Sequence, residues 1–154
     1  MLLYYLLLTG VNYICLNILE YTLHNLSHNR NMKYLYNWHH YHHAVEFPLT
    51  RLINNNHTYN SIYKNRYLHC SIAICPLLYY LLELRHFLFI MVEITLYLMV
   101  VDYFHSSYHK DNSYLEQFKW FKYKKKMHLL HHKQTRFNFN LIDNTTDKLV
   151  NTYK

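Results

Sequence analysis

Glycine and proline are nearly missing from this chain: one glycine and two prolines in 154 residues. With Gly10 alone, no glycine-rich dinucleotide motif exists, and no haem or flavin motif is present either. Any redox chemistry would therefore draw its electrons from another protein. Cysteine is scarce as well. Cys15, Cys70 and Cys75 form no Cys-x-x-Cys pair and are odd in number, which excludes a disulfide framework and a thiolate metal site. They read as small apolar fillers. Acidic residues are few, 9 Asp+Glu against 16 Lys+Arg, for a net charge of +7. No His-Glu-x-x-His motif occurs, and no pair of Glu-x-x-His motifs of the kind a soluble carboxylate-bridged diiron bundle needs. Asn, Tyr, Lys and Ile are abundant instead. That drift predicts that some asparagines occupy positions where a relative would carry glycine.

The apolar residues come in blocks. Hydrophobic residues make up 51% of the chain while its mean hydropathy is only -0.24, so apolar and polar stretches must be segregated. Residues 2–19 are apolar except for Gly10, Asn12 and Asn17, about long enough to cross a bilayer as a helix. The start has no basic region and no small-residue cleavage site follows, so it reads as a retained span. Residues 24–66 are polar. Residues 68–104 are apolar again and are broken only at Glu83, Arg85 and His86, which predicts a hairpin with legs 68–82 and 87–104, the first short and either kinked at Pro76 or only partly inserted. Residues 105–154 are polar and basic.

One domain over residues 1–154 follows: an all-α integral membrane bundle of about three transmembrane helices with a helical cap. Counting crossings puts 24–66 and 105–154 on one face, and their Lys and Arg excess marks it as cytosolic. Half of the basic residues lie between Lys110 and Arg136. Beside apolar spans this points to lipid headgroups and not to nucleic acid, with Lys124-Lys125-Lys126 facing headgroups or docking an acidic electron donor. Glu93, inside a span, is expected to face the bundle interior or a substrate tunnel.

Histidine carries the chemistry. Ten of the 14 histidines form four clusters: His24-x3-His28, His39-x2-His42-His43, His105-x3-His109 and His128-x2-His131-His132. Positions three and four apart share a helix face, so each cluster aims two or three imidazoles one way. Imidazole ligates iron, zinc, copper and nickel, and ten ligands on one membrane face exceed what one ion can take. Two ions are implied. A b-type haem protein would instead place paired histidines within its spans. Metal-bound imidazoles commonly donate their other N–H to a carboxylate; Asp102 and Asp147 are the candidates for that role, with Glu20 behind them. His40, His57, His69 and His86 fit no cluster and read as surface or interfacial residues.

These motifs resemble those of the fatty acid hydroxylase/sterol desaturase superfamily, and their order is most similar to the fatty acid 2-hydroxylase branch. Glu20-Tyr21-Thr22-Leu23-His24 resembles that branch's EYxxH. His42 to Leu52 resembles HHxxPxDxxRL with Arg51-Leu52 in register. Asp102-x2-His105-x3-His109 resembles DxTHxxxH, and Met127 to Thr152 resembles HxxHH…NFG…WD…GT. There are departures. The first pair is spaced HX3H as in sterol-modifying branches, Pro48 stands where Asp is expected, Thr146 where Trp is, and Asn140 and Asn151 replace glycines. The helix that precedes the first span in the family has no counterpart here.

The resemblance implies a diiron oxygenase of the endoplasmic reticulum membrane that hydroxylates a fatty acyl or ceramide C–H bond with O2, using a separate cytochrome b5-type electron donor. Two iron ions would be held by the ten clustered histidines, with zinc as the other occupant in purified protein. An acyl slot is expected around Tyr79, Tyr80 and Tyr97. The alternatives are a sterol-modifying enzyme of the same superfamily and a metal-binding membrane protein without catalysis.

Overall fold

The structure is a computed structural model that describes residues 1–56 and 66–154; His57 lies outside them. It is all-α, as the sequence implies. Among the described residues two helices are long and apolar enough to cross a membrane, α1 (Leu2–Ser27) and α5 (Leu84–Tyr108). At 1.5 Å per residue each is about 38 Å long, against about 30 Å for a hydrocarbon core. Both expose apolar side chains that water would penalise, with Leu7 63% and Val92 58% exposed. α1 and α5 pack together and run parallel, so that both carry their C-terminal histidines to the same end of the molecule. Each outruns its expected span there. α1 continues two turns past residue 19 and so delivers Glu20 and His24.

Where the sequence predicts a third membrane leg over 68–82, the structure has helix with a break in it. That stretch forms two short helices, α3 (Arg66–Ala73) and α4 (Cys75–Leu81), broken at Ile74. Pro76 lies in the first turn of α4, where its missing N–H leaves no bond unmade. From Arg66 to Leu81, among the described residues, the pair reaches about 24 Å at helical rise. It descends along α5 as a hairpin leg. Cys75 Sγ lies 3.6 Å from Met91 Sδ, and the Tyr79 and Phe87 rings meet at 5.4 Å. At the far end the turn meets the start of α1: Tyr4 Oη is 3.2 Å from His86 Nε2, and Tyr5 packs on Phe89 at 5.0 Å. The Arg85–Glu83 pair is exposed at the same level. Aromatic rings with charged neighbours suit a membrane interface.

Glu93 is half-buried on the wall of a groove between α1 and α5. Thr9 Oγ1 (2.6 Å) and Asn12 Nδ2 (2.7 Å) donate to its carboxylate, so its bonds are met within the bundle. The cap over the histidine end consists of α2 (Lys33–Tyr41), a π-helical turn His42–Glu46, a 3-10 turn Tyr114–Gln117, α6 (Lys119–Lys133), loop 134–144 and α7 (Thr145–Leu149). α7 closes in a Schellman arrangement. Thr152 N–H donates to Asp147 O at 2.8 Å and Asn151 N–H to Lys148 O, with Asn151 left-handed at φ 59.

Candidate metal centre

All ten clustered histidines converge beneath the cap, in two groups of five. His24, His28, His39, His43 and His131 form the first group; His42, His105, His109, His128 and His132 form the second. Within each, one nitrogen per ring lies within 4.8 Å of all the others. Helix geometry explains the division. At about 100° per residue, positions i and i+4 differ by about 40°, whereas i+3 lies about 60° to the other side of i. Each HX3H pair therefore serves one group, 24/28 the first and 105/109 the second. Each HX2HH motif splits: 39/43 and 128/132 stay together, while the middle histidines, His42 and His131, cross to the opposite group. The π-helical turn that begins at His42 widens the backbone where this divergence occurs. His43 and His132 stack across the boundary at 4.0 Å, so the groups adjoin.

The ring orientations are fixed from behind. His24 Nδ1 (2.5 Å) donates to Phe139 O, His131 Nδ1 (2.7 Å) to Phe137 O and His109 Nδ1 (2.8 Å) to Leu52 O. His42 Nδ1 lies 3.3 Å from Glu46 Oε2. A neutral imidazole that donates through Nδ1 presents a lone pair at Nε2. Those Nε2 atoms crowd inward: His28 to His39 at 2.9 Å and to His131 at 3.1 Å in the first group, His42 to His105 at 3.0 Å and His109 to His128 at 2.9 Å in the second. His24 Nε2 and His43 Nε2 are buried with no hydrogen-bond partner among the described residues.

Converging lone pairs repel unless a cation lies among them. Nitrogens about 2.1 Å from an ion sit about 3.0 Å apart when they occupy neighbouring octahedral corners, which is the spacing found. The side chains present thus fit a metal in each group. Burial, the largest cause, keeps the rings in the neutral ligand form. It lowers His28 to about 4 and His131 to about 3, and pulls His39, His42, His43, His128 and His132 well below the usual histidine range, helped in those five by neighbouring imidazoles.

The carboxylates stand one step further back. Asp147, fully buried, accepts the N–H groups of Phe139 (2.9 Å) and Asn140 (2.8 Å) and the Thr152 hydroxyl (2.8 Å), and none of these three donors is an imidazole. Glu20 accepts the Tyr97 hydroxyl (2.5 Å) and the Leu141 N–H. Both thus grip the loop whose carbonyls orient His24 and His131. Asp102 is half-buried on α5, one turn before His105. The backbone acceptors Leu52, Phe137 and Phe139 escape a reading of side chains.

Lys124 departs from expectation. It does not face headgroups; it is buried on the inner face of α6, one turn from His128, and donates to Asn140 O (2.9 Å), Asp143 O (3.1 Å) and Asn144 Oδ1 (2.5 Å). Its spacing from Phe121 and His128 was the available signal. His40, His69 and His86 lie outside both groups. His40 lines, with His28, His39, His43, Arg30 and Tyr36, a cavity of about 260 Å³ against the first group. Tyr97 lines a groove of about 340 Å³ between α1 and α5, whereas Tyr79 and Tyr80 point outward, 62% and 84% exposed.

A helical membrane protein with paired five-histidine groups at one end of its spans is the class these features define. The chain matches the fatty acid hydroxylase family over residues 9–152 and belongs to that family. Membership implies an oxidoreductase of membrane lipids, of hydroxylase or desaturase type, and the histidine groups are compatible with its metal. No curated protein and no solved structure matches the chain.

Proposed function

We propose that the chain is an O2-dependent lipid hydroxylase whose two histidine groups each hold one iron ion, and that its substrate is a fatty acyl or ceramide chain oxidised next to the carboxyl carbon. The observation that carries this reading is the convergence of imidazole nitrogens in two adjoining sets of five. Five nitrogens are one more than a tetrahedral zinc site takes and one fewer than an octahedron, which favours iron with a position left for reaction. When bound, the iron pair supplies the redox chemistry that activates O2 toward an unactivated C–H bond. The balance is RH + O2 + two electrons + two protons giving ROH + H2O.

The chain's own residues supply position and a dry setting. The carbonyls of Leu52, Phe137 and Phe139 hold rings in the ligating tautomer, and the groove beside Tyr97, Leu96 and Val100 offers an apolar seat to an acyl tail. Electrons come from a separate cytochrome b5-type protein. A basic groove of about 400 Å³ along α6, lined by Lys122, Lys125, Lys126 and Lys133, provides charge for an acidic donor. The histidine end lies in the cytosol and the spans in the endoplasmic reticulum membrane, a reading supported by the Lys and Arg excess of the segments at that end.

Lipid mass spectrometry of a host that lacks its own acyl hydroxylase tests the substrate. Expression of the chain should yield fatty acids or ceramides hydroxylated at the carbon next to the carboxyl group. Sterols that change while acyl chains do not would move it to the sterol-modifying branch, for which the HX3H spacing of His24 and His28 speaks. No oxygen consumption by the iron-loaded, reduced protein would leave a metal-binding membrane protein without catalysis.

A further inference from the structure

The two histidine groups are supported by different parts of the chain. Loop 134–144 lies against the first. Besides accepting from His131 and His24 through the carbonyls of Phe137 and Phe139, it packs the Phe139 ring 5.4 Å from His131, 5.6 Å from His24 and 5.9 Å from His28. The second group rests on the segment after the π-helical turn: Leu52 O accepts from His109, Glu46 faces His42, and the Phe47 ring stacks on His109 at 3.7 Å. Tyr108 links it to the loop, donating to Leu141 O (2.7 Å) and lying 5.5 Å from His128.

The loop has little regular structure of its own, and buried ionisable side chains set its course. Lys124 binds Asn140 O, Asp143 O and Asn144 Oδ1 from one side. Asp147 binds the N–H groups of Phe139 and Asn140 from the other. Asp147 holds Phe139, whose carbonyl orients His24, and both side chains hold Asn140 beside it; Phe137, whose carbonyl orients His131, lies two residues before Phe139 in the same loop. A buried ammonium and a buried carboxylate are costly unless their bonds are met, and here backbone groups meet most of them, so removing either side chain releases the loop.

We propose that Lys124 and Asp147 are positioning residues that clamp loop 134–144 and thereby organise one metal site of the two, that of His24, His28, His39, His43 and His131. This rests on the metal reading of the histidine groups. The consequence is asymmetric: loss of the clamp empties the first site and spares the second.

Cobalt(II) titration of the full chain, purified in detergent, separates the outcomes, because bound cobalt absorbs in the visible according to its ligands. The unaltered chain should take up two ions, and His24→Ala and His109→Ala should each remove one with a different part of the spectrum. Lys124→Met should then bind one ion, losing the band that His24→Ala loses, with helical circular dichroism unchanged. Asp147→Asn should weaken the same site at least tenfold and leave the other unchanged, and it stands as the test if Lys124→Met does not fold. Two ions with the unaltered spectrum in both variants would overturn the clamp, as would loss of both ions from folded protein. Fewer than two ions in the unaltered chain would instead overturn the metal reading itself.

Discussion

Asn151 takes over the work of glycine in a chain that has almost none. Among the described residues the non-glycine positions with positive φ are Asn112, Asn138 and Asn151, at φ 60, 59 and 59. Asparagine is the side chain that best tolerates this region, at a cost well below that of alanine. Asn151 closes α7, and the next residue, Thr152, donates its hydroxyl to Asp147, so a misplaced turn would disturb the loop grip as well. Asn151→Ala should lower stability by about 1 kcal/mol, or roughly 2–4 °C in thermal unfolding of a chain this size. Asn151→Gly should cost nothing. Equal losses in both variants would show that the asparagine side chain, and not its backbone, is what the turn needs. Of the two positions expected to replace glycines, Asn151 is left-handed and Asn140 is not. Asn140 is buried and donates through Nδ2 to Asn17 O at 2.9 Å, a bond a glycine could not make.

At the scale of elements, hydropathy marked α1 and α5 because an apolar block of that length has few homes outside a bilayer. It marked the hairpin leg without placing its break. The apolar run over 68–82 looks continuous, yet Pro76 favours a helix start, so the chain breaks at Ile74 and begins again. The histidine clusters were legible as pairs and triplets on helix faces. Their distribution between two groups was not, since it depends on how α2 and α6 lie against α1 and α5. The supporting carbonyls were invisible for a simpler reason: every residue has one. Lys124 shared a helix face with Phe121 and His128 but was masked by Lys125 and Lys126 beside it. Because α1 and α5 run parallel, both histidine-bearing ends must share a side. Tags inserted after Asn56 and at the C-terminus should both be reached from the cytosol in selectively permeabilised cells, with a tag before Leu2 protected. A tag at Asn56 on the opposite side from the C-terminus would break the shared site.

Across the whole molecule, the account requires two metal ions held almost wholly by nitrogen: ten imidazoles from α1, α2 with its π-helical turn, α5 and α6, divided five and five. Family membership sets the class of chemistry, while the two ions and their ligands are what we propose from the two histidine groups. The most direct test is iron analysis combined with X-ray absorption on the purified, iron-loaded chain. The account predicts two irons per chain and a first shell dominated by imidazole, about five nitrogens to each ion, as the two groups provide. A single iron per chain, or a shell in which oxygen or sulfur outnumbers nitrogen, would contradict it.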